Sequence, residues 1–129
     1  VNLADRMKLY ESQSEGRLVP LLPALARIDG RAFHTFCRGL SKPYDPRLQA
    51  LMDCVTCFLA EESNALVGYT QSDEITLLWE SRDVKSQIFF DGRIAKMTSV
   101  LASLATAQFN HLLAANIPEK RGKMATFDC

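Results

Sequence analysis

Residues 24–36, ALARIDGRAFHTF, run apolar, stop at Asp29-Gly30, and place Phe33 and Phe36 close behind. Upstream, LVPLLPALARID reads as an apolar strand entered through Pro20 and Pro23, which a strand tolerates near its start or on an edge. The strand is predicted to end at Asp29. GRAFHTFCRGL then predicts a short helix closed by Gly39, and SKPYDP is turn chemistry.

The rest of the chain sorts itself around this stretch. Residues 1–17 read as a short polar helix and its exit. After the turn comes a longer helix, on which Leu48, Leu51, Met52, Val55, Phe58 and Leu59 make one apolar face up to EESN. ALVGYT and EITLLWE predict two strands joined by the turn QSD, a hairpin pattern. SRDVKSQIFFDG is a loop, and Asp91 can cap the helix that follows. That helix carries a stripe of Ile94, Met97, Leu101, Leu104, Ala105, Gln108 and Leu112. Polar NIPEKRGK precedes MATFDC, a last strand.

Strand, helices, strand, strand, helix, strand is the α+β split βαβ, or ferredoxin-like, order: a four-stranded antiparallel sheet with helices on one face. This architecture hosts unrelated functions, RNA-binding modules and the palm of nucleotide polymerases among them, so the site must decide. The topology brings the end of strand one beside the turn joining strands two and three. Asp29 is therefore expected to meet Asp73-Glu74.

Composition bounds the choice. A chain of 129 residues, 47% hydrophobic and 23% charged, reads as one ordinary soluble domain. With 15 basic and 15 acidic residues its formal charge is zero, which excludes a global basic excess for holding nucleic acid. A nucleic-acid partner would need a local patch such as Lys120, Arg121 and Lys123. No apolar run reaches membrane-spanning length and the N-terminus shows no signal-peptide core, so a cytoplasmic chain with no membrane partner is expected. Cys54 and Cys57 have C-x-x-C spacing but stand alone inside a helical pattern, and Cys37 and Cys129 supply no second pair. The pair is expected to behave as small buried hydrophobes rather than metal or redox groups. His34 and His111 are equally isolated.

Two acids converging from a strand end and a hairpin suit Mg²⁺, which takes hard oxygen ligands and keeps places for water and phosphate. Asp29, Asp73 and the Gly30 carbonyl would supply them. Gly30 would let backbone approach ion and phosphates, with amides of the short helix pointing at the same place. The residues alone leave a second reading open, in which Asp29 caps a helix and Asp73 merely sits in a turn.

RIDGRAFHTF, SKPYD, GYTQSDEITLL and FDGRIAKMTSVLASLATAQFN, in this order and spacing, resemble the catalytic half of the tRNA-His guanylyltransferase family and its bacterial and archaeal like-proteins. The likeness covers nearly the whole chain. It implies a palm that extends RNA in the 3′-to-5′ direction: ATP or GTP activates a tRNA 5′ end, which the 3′-hydroxyl of an incoming nucleoside triphosphate attacks. By that resemblance Asp29, the Gly30 carbonyl and Asp73 hold two Mg²⁺ ions with Glu74 beside them. Backbone groups of Gly30, Arg31, Ala32, Phe33 and His34 cradle a triphosphate. Lys42 and Ser72 serve the activating nucleotide, and Arg93 and Lys96 neutralise triphosphate.

GTP, ATP and tRNA are the implied partners, with a homo-oligomer as the implied assembly. NLADRMKLYE is more similar to the bacterial and archaeal branch, whose implied work is 5′-end repair of tRNAs rather than guanylylation of tRNA-His. The family continues past the FDC strand into a second half with a His-x-x-Asn motif and tRNA-holding residues. Residues 1–129 are thus expected to be a single catalytic palm domain truncated before that half. The alternative expectation is a catalytically impaired palm acting as a nucleotide-binding or assembly module.

Overall fold

The apolar alternation of the opening stretch forms β1, Ala24–Gly30, in a computed structural model that describes residues 1–129. Pro20 and Pro23 lie just outside it, where no ladder hydrogen bond is lost. Ala24 and Ile28 point into the core; Leu25, Arg27 and Asp29 point the other way. β2 (Val67–Gln71) and β3 (Glu74–Trp79) form the hairpin, and β3 buries Ile75, Leu77 and Trp79 on the same side as Ile28. β4 is only Phe127–Asp128, shorter than MATFDC suggests. The sheet order is β2-β3-β1-β4, antiparallel throughout, which is the ferredoxin-like arrangement.

Helices α1 (Leu3–Ser12), α2 (Phe33–Phe36), α3 (Pro46–Ser63) and α4 (Ile94–Asn116) complete the chain. The core lies between the sheet and α3 with α4. α3 starts because Asp45 accepts a hydrogen bond from the Arg47 N–H and Pro46 needs no donor at the first turn. It ends at Asn64 in the left-handed region, φ 54°. Its Leu51, Met52, Val55 and Leu59 are fully buried, with Leu48 and Phe58 half-buried at the flanks.

Several expectations are corrected. On α4 the fully buried row is Met97, Leu101, Ala105, Phe109 and Leu113, a strict i+4 row turned by one residue from the expected Gln108 and Leu112. Phe109 decides the rotation, since its ring packs 5.6 Å from Phe33 and 5.2 Å from Phe127. Ile94 is consequently exposed. Asp91 caps nothing: it sits in a 3₁₀ turn (Phe89–Gly92) at φ 51°, Arg93 occupies the position before α4, and the Asp91 carboxylate accepts from Arg17. Helix α2 is a single turn because Ala32 turns left-handed, φ 53°, and stops the helix reaching back to Gly30. Cys54 and Cys57 are exposed on α3, not buried. No helix is long and apolar enough to cross a membrane.

Candidate active site at the end of strand β1

Antiparallel register aligns a row of polar side chains across the open face of the sheet. Gln71 stands opposite Glu74, Glu74 opposite Asp29, and Asp29 opposite Asp128. Directly opposed residues share a face, with Cβ atoms ~5 Å apart, and like charges placed so are unfavourable without a counter-charge. Arg27 supplies part of it, with its Nε 3.5 Å from the Asp29 carboxylate. Asp128 is a carboxylate that sequence reading missed. Its signal was available, because pairing the FDC strand antiparallel to RIDG sets Asp128 beside Asp29.

At Gly30 the ring of Phe33 leaves no room for a side chain. A Cβ there would lie 2.4 Å from the Phe33 ring, so the glycine exists to let that ring fold back under the strand end. The Gly30 N–H donates to the Asp73 carbonyl at 3.0 Å, and the Arg31 N–H to the Thr126 carbonyl at 2.8 Å. Strand end, hairpin turn and β4 are thereby tied together.

The turn itself is Ser72-Asp73, with Ser72 held at φ 57°, a region that non-glycine residues adopt at a cost and that clusters at functional sites. Beside it opens a concavity of about 790 Å³ lined by His34, Cys37, Lys42, Asp45, Ser72 and Asp73 among others. Asp29, Gly30 and Glu74 do not line it. Burial, aided by the Asp73 charge, pushes the Cys37 thiol above its ordinary pKa. Asp45 is held well below the usual carboxylate range by the hydrogen-bonded Arg47 side chain, which also bridges to Glu119.

At the start of α2 the N–H groups of Ala32, Phe33 and His34 donate to no backbone carbonyl. Consecutive free amides beside a left-handed residue form a concave donor set suited to anionic oxygens. Arg93 and Lys96 are not brought here. Phe109, which packs on Phe33, is separated from Arg93 by a rise of about 24 Å along α4. Arg93 instead ion-pairs with Glu15 at 3.6 Å and lies over the Phe90 ring.

No three His, Cys, Asp or Glu side chains gather closely enough to hold a metal by themselves. The donors at the strand end are the cross-strand carboxylates Asp29, Glu74 and Asp128 and, in the adjoining turn, Asp73, with backbone carbonyls beside them. That set suits Mg²⁺, which is bound through one or two carboxylates and completes its shell with water and phosphate.

An antiparallel βαββαβ sheet with acids at the end of its first strand and at the adjoining hairpin defines a palm-type α+β domain. The family model for tRNAHis guanylyltransferase matches residues 4–129. A bacterial tRNA(His) guanylyltransferase (Thg1)-like protein, solved in complex with ATP, superposes with a TM-score of 0.85 at 37% identity over 99% of this chain and 56% of that one. The same kind of bacterial protein in complex with GTP gives 0.84 at 38% identity, over 98% and 60%. Among curated relatives, the uncharacterized protein R259 of Acanthamoeba polyphaga mimivirus is 35% identical over 89% of this chain, and the tRNA(His) guanylyltransferase of Schizosaccharomyces pombe is 32% identical over 81%. The chain spans 43% and 39% of those two relatives. It belongs to the tRNAHis guanylyltransferase family.

Proposed function

We propose that this chain is a nucleotidyltransferase palm that adds nucleotides in the 3′-to-5′ direction to tRNA 5′ ends, in the cytoplasm, by guanylylating tRNA-His or repairing truncated 5′ ends. The observation that carries the reading is the junction of Asp29, Gly30 and the Ser72-Asp73 turn, held by the Gly30-to-Asp73 hydrogen bond and flanked by free amides at Ala32, Phe33 and His34. Activation joins a 5′-phosphate oxygen of the tRNA to the α-phosphorus of ATP or GTP and releases pyrophosphate. The 3′-hydroxyl of an incoming nucleoside triphosphate then attacks the activated 5′-phosphorus and releases the nucleoside monophosphate.

Asp29, Asp73 and the Gly30 carbonyl would hold two Mg²⁺ ions, with Glu74 beside them. Bound there, Mg²⁺ supplies charge neutralisation and polarisation of phosphoryl oxygens. Asp29, Asp73 and Glu74 keep local charge negative, so that triphosphate enters only with its cations. The free amides of residues 32–34 orient its oxygens, and Gly30 and Arg31 fix that loop through their bonds to Asp73 and Thr126. Lys42 and Ser72, on the wall of the 790 Å³ concavity, serve the activating nucleotide. Arg93 and Lys96, remote from these acids within one chain, would meet triphosphate from a neighbouring copy of a homo-oligomer.

The test is transfer of label from [α-³²P]ATP to 5′-monophosphorylated tRNA, followed by extension with GTP. Label in RNA with wild type and none with Asp29→Asn supports the reading. Equal labelling by wild type and Asp29→Asn, or none by wild type in MgCl₂, overturns it.

A further inference from the structure

We propose that a second concavity, on the far side of α2 from the first, binds the phosphate backbone of the RNA strand. The inference rests on the reading of the chain as one that acts on RNA. This concavity, about 690 Å³, is lined by Arg31, Arg38, Lys120 and Lys123, with no Asp or Glu among its lining residues. None of these four cations has a carboxylate partner, whereas Arg17, Arg27, Arg47, Arg82 and Arg93 all do. In a chain of zero net charge, four unpaired cations around one hollow are a local anion site left open.

The basin is organised. Lys120 Nζ donates to the Arg38 carbonyl at 2.8 Å and sits 5.4 Å from the centre of the Phe36 ring, so its charge is held in place. Thr35 and Thr126 add hydroxyls to the wall. Arg31 lies two residues past Asp29, and Arg38 lines both concavities, so the basin adjoins the candidate active site.

Phosphates rather than bases fit it. Phe36 is its aromatic residue, and that ring is taken up by stacked Phe33 at 5.1 Å and by Lys120. With no free ring face to stack a base, a nucleotide gains nothing there beyond its phosphates. A polynucleotide whose 5′ end sits at the acids can lay successive phosphates along the four cations.

The experiment is fluorescence anisotropy with a 3′-fluorescein, 5′-monophosphorylated 12-nucleotide RNA, titrated over a range of KCl for wild type, Lys123→Glu and Lys85→Glu. Lys123 and Lys85 are both exposed, and Lys85 lies outside the basin, so it controls for net charge. Lys123→Glu should weaken binding roughly fivefold or more at low salt and make the log K against log[KCl] slope shallower by about 0.7 or more, as losing a single-strand phosphate contact requires. Lys85→Glu should change neither, and a fluorescent ATP analogue should bind all three chains equally. Unchanged RNA binding in Lys123→Glu, or an equal loss in Lys85→Glu, overturns the proposal. A matching loss of ATP binding also overturns it, assigning the basin to a nucleotide's triphosphate. None of these measurements needs turnover, so failure of tRNA labelling would leave this result readable on its own.

Discussion

Gly30 donates its backbone N–H to the carbonyl of Asp73 at 3.0 Å, and this bond joins the end of β1 to the β2–β3 turn. Because Asp29 and Glu74 are already opposed in the ladder, the extra bond fixes the turn residue against the strand end. Asp29 and Asp73, far apart in sequence, thus have their backbones held together at the strand end.

Loss of either carboxylate should remove metal-dependent nucleotide binding. Asp29→Asn and Asp73→Asn keep size and some hydrogen bonding but lose the charge that a divalent ion needs. Titration of a fluorescent ATP analogue should show tighter binding in MgCl₂ than in EDTA for wild type, and no such gain for either variant. A gain that survives in both variants would remove these residues from the metal site.

Gly30→Ala should destabilise the fold, since its Cβ would meet the Phe33 ring at 2.4 Å and the ring is wedged against Phe36, Phe109 and Phe127. Overpacking of this kind costs about 1–3 kcal/mol. Urea unfolding measures it, and Phe33→Leu in the Gly30→Ala background should recover part of the loss by freeing the space. Wild-type stability in Gly30→Ala would show that the ring moves freely.

What could be read from the sequence was whatever depends on local pattern and topology. The alternation in β1, the hairpin about Ser72-Asp73 and the element order sufficed for the sheet, and with them for the meeting of Asp29 with Asp73-Glu74. The phase of α4 was not legible, because Leu104, Gln108 and Leu112 compete with Ala105, Phe109 and Leu113 until the Phe33 cluster picks one row. Nor was the partner of Asp91, since Arg17 reaches it from a segment remote in sequence. Resemblance assigns Arg93 and Lys96 to triphosphate but carries no position for them. They sit side by side at the start of α4, yet which end of the sheet they occupy is set by the direction of the whole helix.

Cys37 should be a slow thiol and a reporter of the first concavity, with Cys129, whose pKa burial pushes up to about 11, slow as well. Burial and the Asp73 charge raise its pKa, whereas Cys54 and Cys57 are exposed. Because the thiolate is the nucleophile, alkylation by iodoacetamide near pH 7.5 should label Cys54 and Cys57 well before Cys37, and Cys37 should gain rate as pH rises. Mg²⁺ with ATP should protect Cys37 further, since its side chain lines the wall with Lys42 and Ser72. Peptide mapping by mass spectrometry separates the sites, and labelling of Cys37 as fast as Cys54 would refute the burial argument.

Acid should loosen the chain through Asp45. Its carboxylate is buried at the start of α3, accepts from the Arg47 side chain and from the Ser41 N–H, and is held well below the usual carboxylate range chiefly by the Arg47 hydrogen bond. Arg47 also donates to Glu119, whose pKa is lowered by the same guanidinium, so the pair ties α3 to the 3₁₀ turn Pro118–Lys120. In the unfolded chain an aspartate takes up its proton near its ordinary pKa of about 3.9, while in the folded chain Asp45 stays charged to lower pH. The unfolded state therefore binds more protons between those limits, and stability from this group is complete above the ordinary pKa and lost as pH falls toward the folded one. Asp45→Asn cannot follow that titration. The melting temperature of wild type should exceed that of Asp45→Asn at neutral pH, with the gap narrowing as pH drops from about 5 toward 2. Glu119→Gln should narrow less, because Arg47 keeps its bonds to Asp45 in that variant. A gap that stays constant across this range would mean that Asp45 acts only as a neutral helix cap, and that its charge contributes nothing to holding α3 against the C-terminal turn.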